Sequence, residues 1–394
     1  MNASYVAAFS SSIGGRQKQE DRIVAVPDLN LHLPGASRSE LDTPRSFYAV
    51  FDGHGGHACS DFLEKTFHVE LARNPRLTSD PKGALLEVWD TLDSKFYEIC
   101  VKVAAANGER VKLTAGKMTG QGKPAAANGS RSPAASFPRD GSTATVVLIV
   151  GKKLFIANCG DSAGILVRKN GDLEVVTKDH GTLNPKEFER IQQSGGYYRQ
   201  QMMRSVVRWP LCCLTRDVVV GKPRVYPGGL LVTRAFGDFS AKVGSLGGTP
   251  GVILPDCEDI LEMTMEDDWS QLMIASDGVW DAVPTEEMPQ LLAKLGRSDD
   301  RRRSAESPAS DLHGKAGEKA GELGGLDETR QSKLVQLNRT CARIIVSCIR
   351  HRYWQDNQAP ADNTSAIILR FLSPEPSRHG DAPVEQTREG NPPS

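Results

Sequence analysis

Residues 144–171 read ATVVLIVGKKLFIANCGDSAGILVRKNG, and this stretch gives the most direct indication of a fold. Short apolar runs rich in Val and Ile are separated or followed by the turn-forming pairs Gly151-Lys152 and Asn170-Gly171. Tight turns next to β-branched runs are typical of neighbouring antiparallel strands. The stretch therefore predicts two or three antiparallel strands joined by tight turns.

Similar apolar runs recur along the rest of the chain. Together with those in the opening stretch, the runs predicted as strands are 22–26, 47–51, 143–150, 154–157, 165–167, 271–275 and 365–371. Several are bounded by Gly, Asn or Asp, which often end strands and begin turns. The chain is therefore expected to contain substantial antiparallel sheet.

Three other segments carry apolar residues at spacings of three and four, the period of an amphipathic helix. These segments are 58–71, 85–99 and 334–349. Each would have one apolar stripe that must be buried against another element. Because strands and helices occur in separate runs and do not alternate strictly, the pattern favours an α+β layered fold with antiparallel sheets.

Two internal segments and the end of the chain lack this apolar periodicity. Residues 104–138 are rich in Ala, Gly, Lys and Ser, and residues 296–330 mix charges of both signs with Gly and Ser. Such segments bury too little apolar surface to offset the entropy of ordering, so both are predicted as low-complexity insertions. The same argument predicts a disordered tail at 374–394. The elements on both sides of the insertions are expected to form a single domain spanning 1–373.

The composition excludes several classes of protein. The 394 residues are 39% hydrophobic and 25% charged, with a net charge of −1, so no basic surface favours nucleic acid as a partner. The eight cysteines include no Cys-x-x-Cys pair, which favours reduced thiols. No secretory signal and no long apolar run are present, which predicts no membrane span and a cytoplasmic or nuclear location.

Carboxylates at the ends of predicted strands are the most informative polar residues. Asp52 and Asp277 each follow an apolar run and precede a glycine, Asp362 comes just before the last run, and Glu20-Asp21 precedes the first. An isolated Asp-Gly is more often a turn than a ligand, but burying a carboxylate at a strand end is costly without a cation. Because the pattern repeats, it predicts a site for hard cations such as Mg²⁺ or Mn²⁺. The spacing of Cys and His residues does not support zinc.

Two further residues lie close to these carboxylates in sequence. His54 follows Asp52 by two positions on a Gly-rich turn, so it is either a proton-transfer group or a structural histidine. Arg16 precedes Glu20 by four positions and is either a bidentate phosphate ligand or a solvated surface charge. The residues alone leave these alternatives open.

Eight motifs occur in an order that resembles a known family. They are Arg16-x-x-x-Glu20-Asp21, Asp52-Gly53-His54-Gly55-Gly56, Gly141-Ser142-Thr143-Ala144, Asn158-Cys159-Gly160-Asp161-Ser162, Lys178-Asp179-His180, Arg234-Ala235-Phe236-Gly237-Asp238, Ser276-Asp277-Gly278-Val279-Trp280-Asp281 and Asp362-Asn363. The set resembles the metal-dependent protein serine/threonine phosphatases of type 2C, the PPM family. The resemblance implies a central β-sandwich of two antiparallel sheets flanked by helix pairs, a four-layer α-β-β-α architecture.

The resemblance also implies a set of metal ligands. Asp52 would bridge two Mg²⁺ or Mn²⁺ ions, and the Gly53 carbonyl would coordinate one of them. Glu20, Asp277 and Asp362 would complete this core site, partly through water. A weaker third ion would be held by Asp179 and Asp277.

An activity follows from the same resemblance. Arg16 would bind the substrate phosphate, and His54 would protonate the leaving oxygen. Metal-activated water would hydrolyse phosphoserine or phosphothreonine on protein substrates without a covalent intermediate. Phosphorylated proteins would be the partners, and the enzyme would act as a monomer.

The chain departs from the family pattern in two places. Gly181-Thr182 stands where the family usually has Lys-Pro, which predicts a changed loop and intact chemistry. Residues 197–220 lengthen the segment that forms the family's flap beside the active site. This longer flap is either a variable surface loop or an element that selects substrates or partners.

Two other functions are alternatives to an active protein phosphatase. A catalytically dead scaffold predicts substitutions among the ligands, whereas Glu20, Asp52, Asp179, Asp277 and Asp362 are all present. A two-metal enzyme acting on nucleotides or nucleic acid is disfavoured for nucleic acid by the neutral net charge.

Overall fold

Two five-stranded antiparallel sheets stacked face to face form the centre of the protein in the computed structural model. The structure describes residues 5–34, 42–106, 137–209, 212–219, 221–303, 328–355 and 361–372. The predicted tail at 374–394 and the central parts of both predicted insertions lie outside the described residues.

The secondary structure elements are numbered here in chain order. The strands are β1 (Tyr5–Ser12), β2 (Arg22–Val26), β3 (Arg45–Phe51), β4 (Gly53–His54), β5 (Gly141–Ser142), β6 (Ala144–Val150), β7 (Lys153–Cys159), β8 (Ala163–Arg168), β9 (Leu173–Val175), β10 (Tyr197–Arg199), β11 (Met202–Trp209), β12 (Cys212–Val219), β13 (Arg224–Tyr226), β14 (Phe236–Gly237), β15 (Ile260–Thr264), β16 (Trp269–Ala275) and β17 (Thr364–Phe371). The α-helices are α1 (Ala58–Arg73), α2 (Pro81–Ala106), α3 (Pro185–Gln193), α4 (Phe239–Lys242), α5 (Asp277–Trp280), α6 (Met288–Arg303) and α7 (Glu328–Gln355), and short 3-10 turns lie at Leu29–His32 and Gly244–Leu246.

The first sheet has the strand order β15-β7-β6-β3-β2, and the second has the order β1-β17-β16-β8-β9. In the first sheet, β6 and β7 are joined by the predicted tight turn, in which Gly151 has a φ of +60°. The predicted turn at Asn170-Gly171 joins β8 to β9 in the second sheet. The opening stretch therefore supplies strands to both sheets and carries the chain from one to the other.

Each sheet is covered on its outer face by a pair of long helices. Helices α1 and α2 pack on the first sheet, and α6 and α7 pack on the second. Strand β3 is apolar throughout because both of its faces are covered. Phe47 and Phe51 face the helices, whereas Tyr48 and Val50 face the other sheet. Burial on both faces replaces the usual alternation of apolar and polar residues. The predicted four-layer α-β-β-α architecture is confirmed.

The edges of the predicted insertions differ from expectation. Helix α2 continues to Ala106, and Ala104 is fully buried in its core. Phe137 is also buried, with its ring 5.9 Å from that of Tyr97. The second predicted insertion likewise begins inside α6 and ends inside α7. Core packing therefore extends into the edges of the first segment, and helical structure extends a few residues into the second.

The predicted flap forms regular structure. Strand β10 pairs with β13, and β11 pairs with β12 as a long antiparallel hairpin. A small separate core below it contains Ile191, Val225 and Val252. The flap is therefore a folded extension, and its first strand packs against this core through Tyr198.

A buried ion pair links α2 to α4. The Lys242 Nζ lies 3.0 Å from the Asp93 Oδ2 and donates to the Ala235 carbonyl at 2.7 Å, while the Gly237 N–H donates to Asp93 at 2.7 Å. Both charged side chains are at most 5% exposed. The pair holds the segment that runs from Ala235 to Lys242 against α2.

We expect Lys242→Met to destabilise the fold by about 3–5 kcal/mol, because it leaves the Asp93 carboxylate buried without its counter-charge. The matched change Lys82→Met removes a surface pair with Asp259 and should cost less than about 1 kcal/mol. Urea unfolding of both variants measures the difference. Equal losses for the two lysines would contradict this account of the buried pair.

Candidate active site

A cleft of about 410 Å³ opens at the end of the sandwich where several predicted site residues meet. Asp52 follows β3 of the first sheet, whereas Asp277 follows β16 and Asp362 precedes β17 of the second. Glu20 comes just before β2. Among the predicted residues, those that line the cleft are Arg16, Glu20, Asp52, Gly53, His54, Asp277 and Asp362.

The turn after β3 is fixed by close backbone contacts. The Thr143 N–H donates to the Asp52 carbonyl at 2.9 Å. Gly53 packs so tightly that a Cβ there would lie 2.4 Å from the Glu20 carbonyl oxygen, so only glycine fits. The Ser60 hydroxyl donates to that same carbonyl at 2.6 Å. These contacts hold the Glu20 and Asp52 segments side by side.

Asn363 fixes the loop that carries Arg16. Its Nδ2 donates to the carbonyls of Ile13 and Lys18 at 3.0 Å each, and its Oδ1 accepts from the Glu20 N–H at 2.8 Å. The side chain is buried, so all of these bonds form away from bulk solvent. Asn363 thus links the second sheet to the first across the cleft.

The carboxylates of the cleft repel one another electrostatically. Loss of solvent and then the neighbouring carboxylates, Asp21 and Asp277 first among them, raise the pKa of Asp52 well above its usual value. The pKa of Asp277 is raised well above its usual value by the same loss of solvent and by Asp161. Loss of solvent also raises the pKa of Asp161 to about 6. A nearby cation would relieve this repulsion.

Asp21 is another buried carboxylate with a raised pKa. Its carboxyl is 2% exposed, and burial raises its pKa to about 6. Oδ2 accepts from the Ser276 hydroxyl at 3.0 Å, whereas Oδ1 is buried without a hydrogen-bond partner. A buried carboxyl oxygen without a partner, beside other carboxylates, fits a site that takes hard cations and their water.

The acidic side chains of the cleft do not form a complete set of metal ligands. Within the described ranges, no group of three or more His, Cys, Asp or Glu side chains has the arrangement needed to hold an ion. The oxygen-only donors fit Mg²⁺ or Mn²⁺ by their chemistry, and ion binding would require side chains to move together.

His54 is held by an aspartate from a distant part of the chain. Its Nε2 lies 2.7 Å from the Asp238 Oδ2, and the imidazole is 28% exposed. Burial alone would lower the pKa of His54, but Asp238, together with Asp161 and Glu20, outweighs burial and raises that pKa. Asp238 itself adopts a left-handed backbone conformation, with a φ of 50°. This strained residue aligns the imidazole beside the carboxylates.

The comparisons with known proteins agree with this arrangement. Residues 6–316 match the family described as "PP2C: Protein phosphatase 2C". The chain belongs to the protein phosphatase 2C family.

Two of the curated relatives within this family come from plants. The chain is 30% identical over 286 residues to "Probable protein phosphatase 2C 20" of Oryza sativa subsp. japonica, covering 69% of this chain and 49% of that protein. It is 24% identical to "Probable protein phosphatase 2C 60" of Arabidopsis thaliana, covering 97% and 91% respectively. The chain thus spans about half the length of the first relative and nearly all of the second.

A solved structure shows the same phosphatase 2C fold. The "Crystal structure of serine-threonine phosphatase 2C from Toxoplasma gondii" is similar with a TM-score of 0.56 at 17% identity, covering 93% of this chain and 95% of that one. None of the described helices is long and apolar enough to cross a membrane.

Two residues of the phosphatase 2C motifs are placed differently from expectation. Asp179 is exposed and does not line the cleft, and its Oδ1 accepts from the Gly181 N–H at 2.8 Å. Asp161, which was not predicted as a ligand, does line it. Asp179 is close enough for its charge to raise the pKa of Asp161. The motif Asn158–Ser162 was the only sequence signal for Asp161.

Proposed function

We propose that this protein is a metal-dependent serine/threonine phosphatase that hydrolyses phosphomonoesters on protein substrates. The observation that carries the proposal is that carboxylates from both sheets, Asp52, Asp277 and Asp362, line one cleft and that the buried Asp21 lies close enough for its charge to act on Asp52. Phosphorylated proteins are the proposed partners, the proposed active form is a monomer, and the proposed location is the cytoplasm or nucleus.

The proposed cofactors are Mg²⁺ or Mn²⁺ ions, two in the core site and a weaker third. Glu20, Asp52, Asp277 and Asp362, with the Gly53 carbonyl, are the proposed core ligands. When bound, such ions would activate water for attack on phosphorus and offset charge on the phosphoryl oxygens. For the third ion, the cleft position of Asp161 makes it a better candidate than Asp179.

Arg16 is the proposed phosphate ligand. Its guanidinium forms an ion pair with Asp362, and the two side chains are 55% and 39% exposed. A pair this exposed contributes roughly 0–1 kcal/mol, so it can open at little cost when a phosphate arrives. A guanidinium offers two parallel N–H donors to phosphoryl oxygens and stays charged at any physiological pH.

His54 is the proposed general acid, and Asp238 is the residue that positions it. An alkoxide from serine or threonine is strongly basic and leaves only with a proton. The Asp238 carboxylate, 2.7 Å from Nε2, favours the protonated imidazole and fixes the ring. The six cysteines whose side chains the structure describes are all buried, which does not favour a thiolate nucleophile.

A substrate panel tests the proposal. We expect the purified protein with Mn²⁺ to release phosphate from phosphoserine and phosphothreonine peptides with a kcat/KM at least about 10²-fold above that for nucleotide monophosphates, because none of the described residues that line the cleft is a Phe, Tyr or Trp on which a base could stack. Malachite-green phosphate release measures both. A preference for nucleotides would favour the rival two-metal phosphoesterase, and no turnover of any ester would favour the rival scaffold.

A further inference from the structure

Lys222 lies two residues after the flap and places a positive charge near the acidic residues of the cleft. It lies in the short connection between β12 and β13, just after Gly221. Its Nζ is 3.4 Å from the Asp281 Oδ1. Asp281 also forms an ion pair with Arg352, whose Nη1 lies 3.8 Å from the Asp281 Oδ2.

The charge of Lys222 reaches beyond Asp281. It is the strongest of the charges that favour the ionised form of Asp161, and it also interacts with Asp277. Burial lowers the pKa of Lys222, but Asp281, Asp161 and Asp277 together outweigh burial and raise that pKa, so the side chain remains an ammonium. Lys222 is therefore in direct contact with Asp281 and close enough for its charge to act on Asp161 and Asp277.

The backbone that carries Lys222 is anchored on one side. Strand β13 follows two residues later and pairs with β10, and the Val225 N–H donates to the Leu230 carbonyl at 2.8 Å. Arg224 extends from the same strand into the cleft lining and donates to the Gly229 carbonyl at 2.8 Å. Lys222 therefore extends from a supported part of the flap, and its ion pair spans the gap between the flap and α5.

We propose that Lys222 acts as a tethered cation that offsets the charge of Asp161, Asp277 and Asp281 and so weakens divalent-ion binding on that side of the cleft. This inference rests on the proposed function and deepens it. An ammonium and a divalent ion that interact with the same carboxylates repel each other, so each weakens the binding of the other. Lys222 would therefore weaken the proposed third ion further, and release of Lys222 on ion binding would loosen the flap.

The proposal predicts the effect of removing the charge. Lys222→Met keeps the length of the side chain and removes the ammonium, so the weakest Mn²⁺ equilibrium should tighten by about tenfold or more. Lys222→Arg retains the charge and should stay within about threefold of the wild-type dissociation constant. Lys186→Met is a matched control, because Lys186 is an exposed lysine of α3, in the same region, and forms no ion pair with the three carboxylates.

Isothermal titration calorimetry of the metal-stripped full chain with MnCl₂ measures stoichiometry and dissociation constants without relying on turnover. The inference is supported if Lys222→Met alone binds Mn²⁺ with a lower dissociation constant or binds an additional Mn²⁺ ion. Identical isotherms for all four proteins, with an active wild type, would overturn it and leave the proposed function standing. A wild type that neither binds Mn²⁺ nor releases phosphate would overturn both.

Discussion

Replacing Asp52 with Asn should lower kcat on a phosphothreonine peptide by at least about 10³-fold, the effect of losing several kcal/mol of metal-derived transition-state stabilisation. Asp52 lines the cleft, and its pKa is influenced by Asp21, Asp277, Asp161 and Asp362. The amide keeps the shape of the side chain but removes the negative charge that would hold a divalent ion. Steady-state kinetics at saturating Mn²⁺ measure the loss.

Folding offers an independent check on the Asp52 variant. Because the folded-state pKa of Asp52 is raised, its ionised form at neutral pH costs stability in the metal-free protein. Asp52→Asn removes that cost, so the metal-free variant should melt at or above the wild-type temperature while being inactive. Asp267→Asn, an exposed carboxylate in the turn before β16, is the matched control and should change neither property. Lost activity with a collapsed melting temperature would indicate a structural role for Asp52.

The second large effect concerns His54 and depends on the leaving group. His54→Ala should slow hydrolysis of a phosphothreonine peptide by about 10²–10⁴-fold, the usual contribution of a positioned general acid. p-Nitrophenyl phosphate releases a stable phenolate that needs no proton and should be slowed much less. Measuring kcat on both substrates at saturating Mn²⁺ separates the two cases.

Metal titration completes the test of His54. Since His54 is not a proposed ligand, its replacement should leave the Mn²⁺ dissociation constants unchanged. Asp238→Asn should reproduce the same substrate-dependent pattern with a smaller loss, because it removes only the charge that aligns the imidazole. Equal losses on both substrates, together with weakened metal binding, would show that His54 instead supports the Asp52–Gly56 turn.

The layers of the fold could be predicted wherever burial gives a strand or a helix a recognisable pattern of apolar residues. Strands β3 and β16 are apolar because both faces are covered, and α1, α2 and α7 carry a single apolar stripe. Strand β1 was missed, because YVAAFSSS holds one β-branched residue and its pairing partner β17 lies at the other end of the chain. The flap hairpin was missed because no core pattern marks a two-stranded extension.

The site residues that could be predicted from the sequence are those that directly precede or follow a predicted strand. Asp52 and Asp277 were identified by the apolar runs before them, and they do line the cleft. Asp238 was not identified as the partner of His54, since 184 positions separate them and only the fold brings them together. Lys222 gave no signal at all. Ion pairs between distant segments depend on tertiary packing, which residue spacing does not encode.

The central claim is that the cleft carboxylates hold divalent cations for phosphomonoester hydrolysis. Its most direct test is phosphate release from a phosphothreonine peptide by the metal-stripped wild-type protein, assayed in chelator and again after adding Mn²⁺ or Mg²⁺. The account predicts no turnover in chelator, recovery on adding either ion, and no recovery in Asp52→Asn. Full activity of the stripped protein in chelator would contradict it.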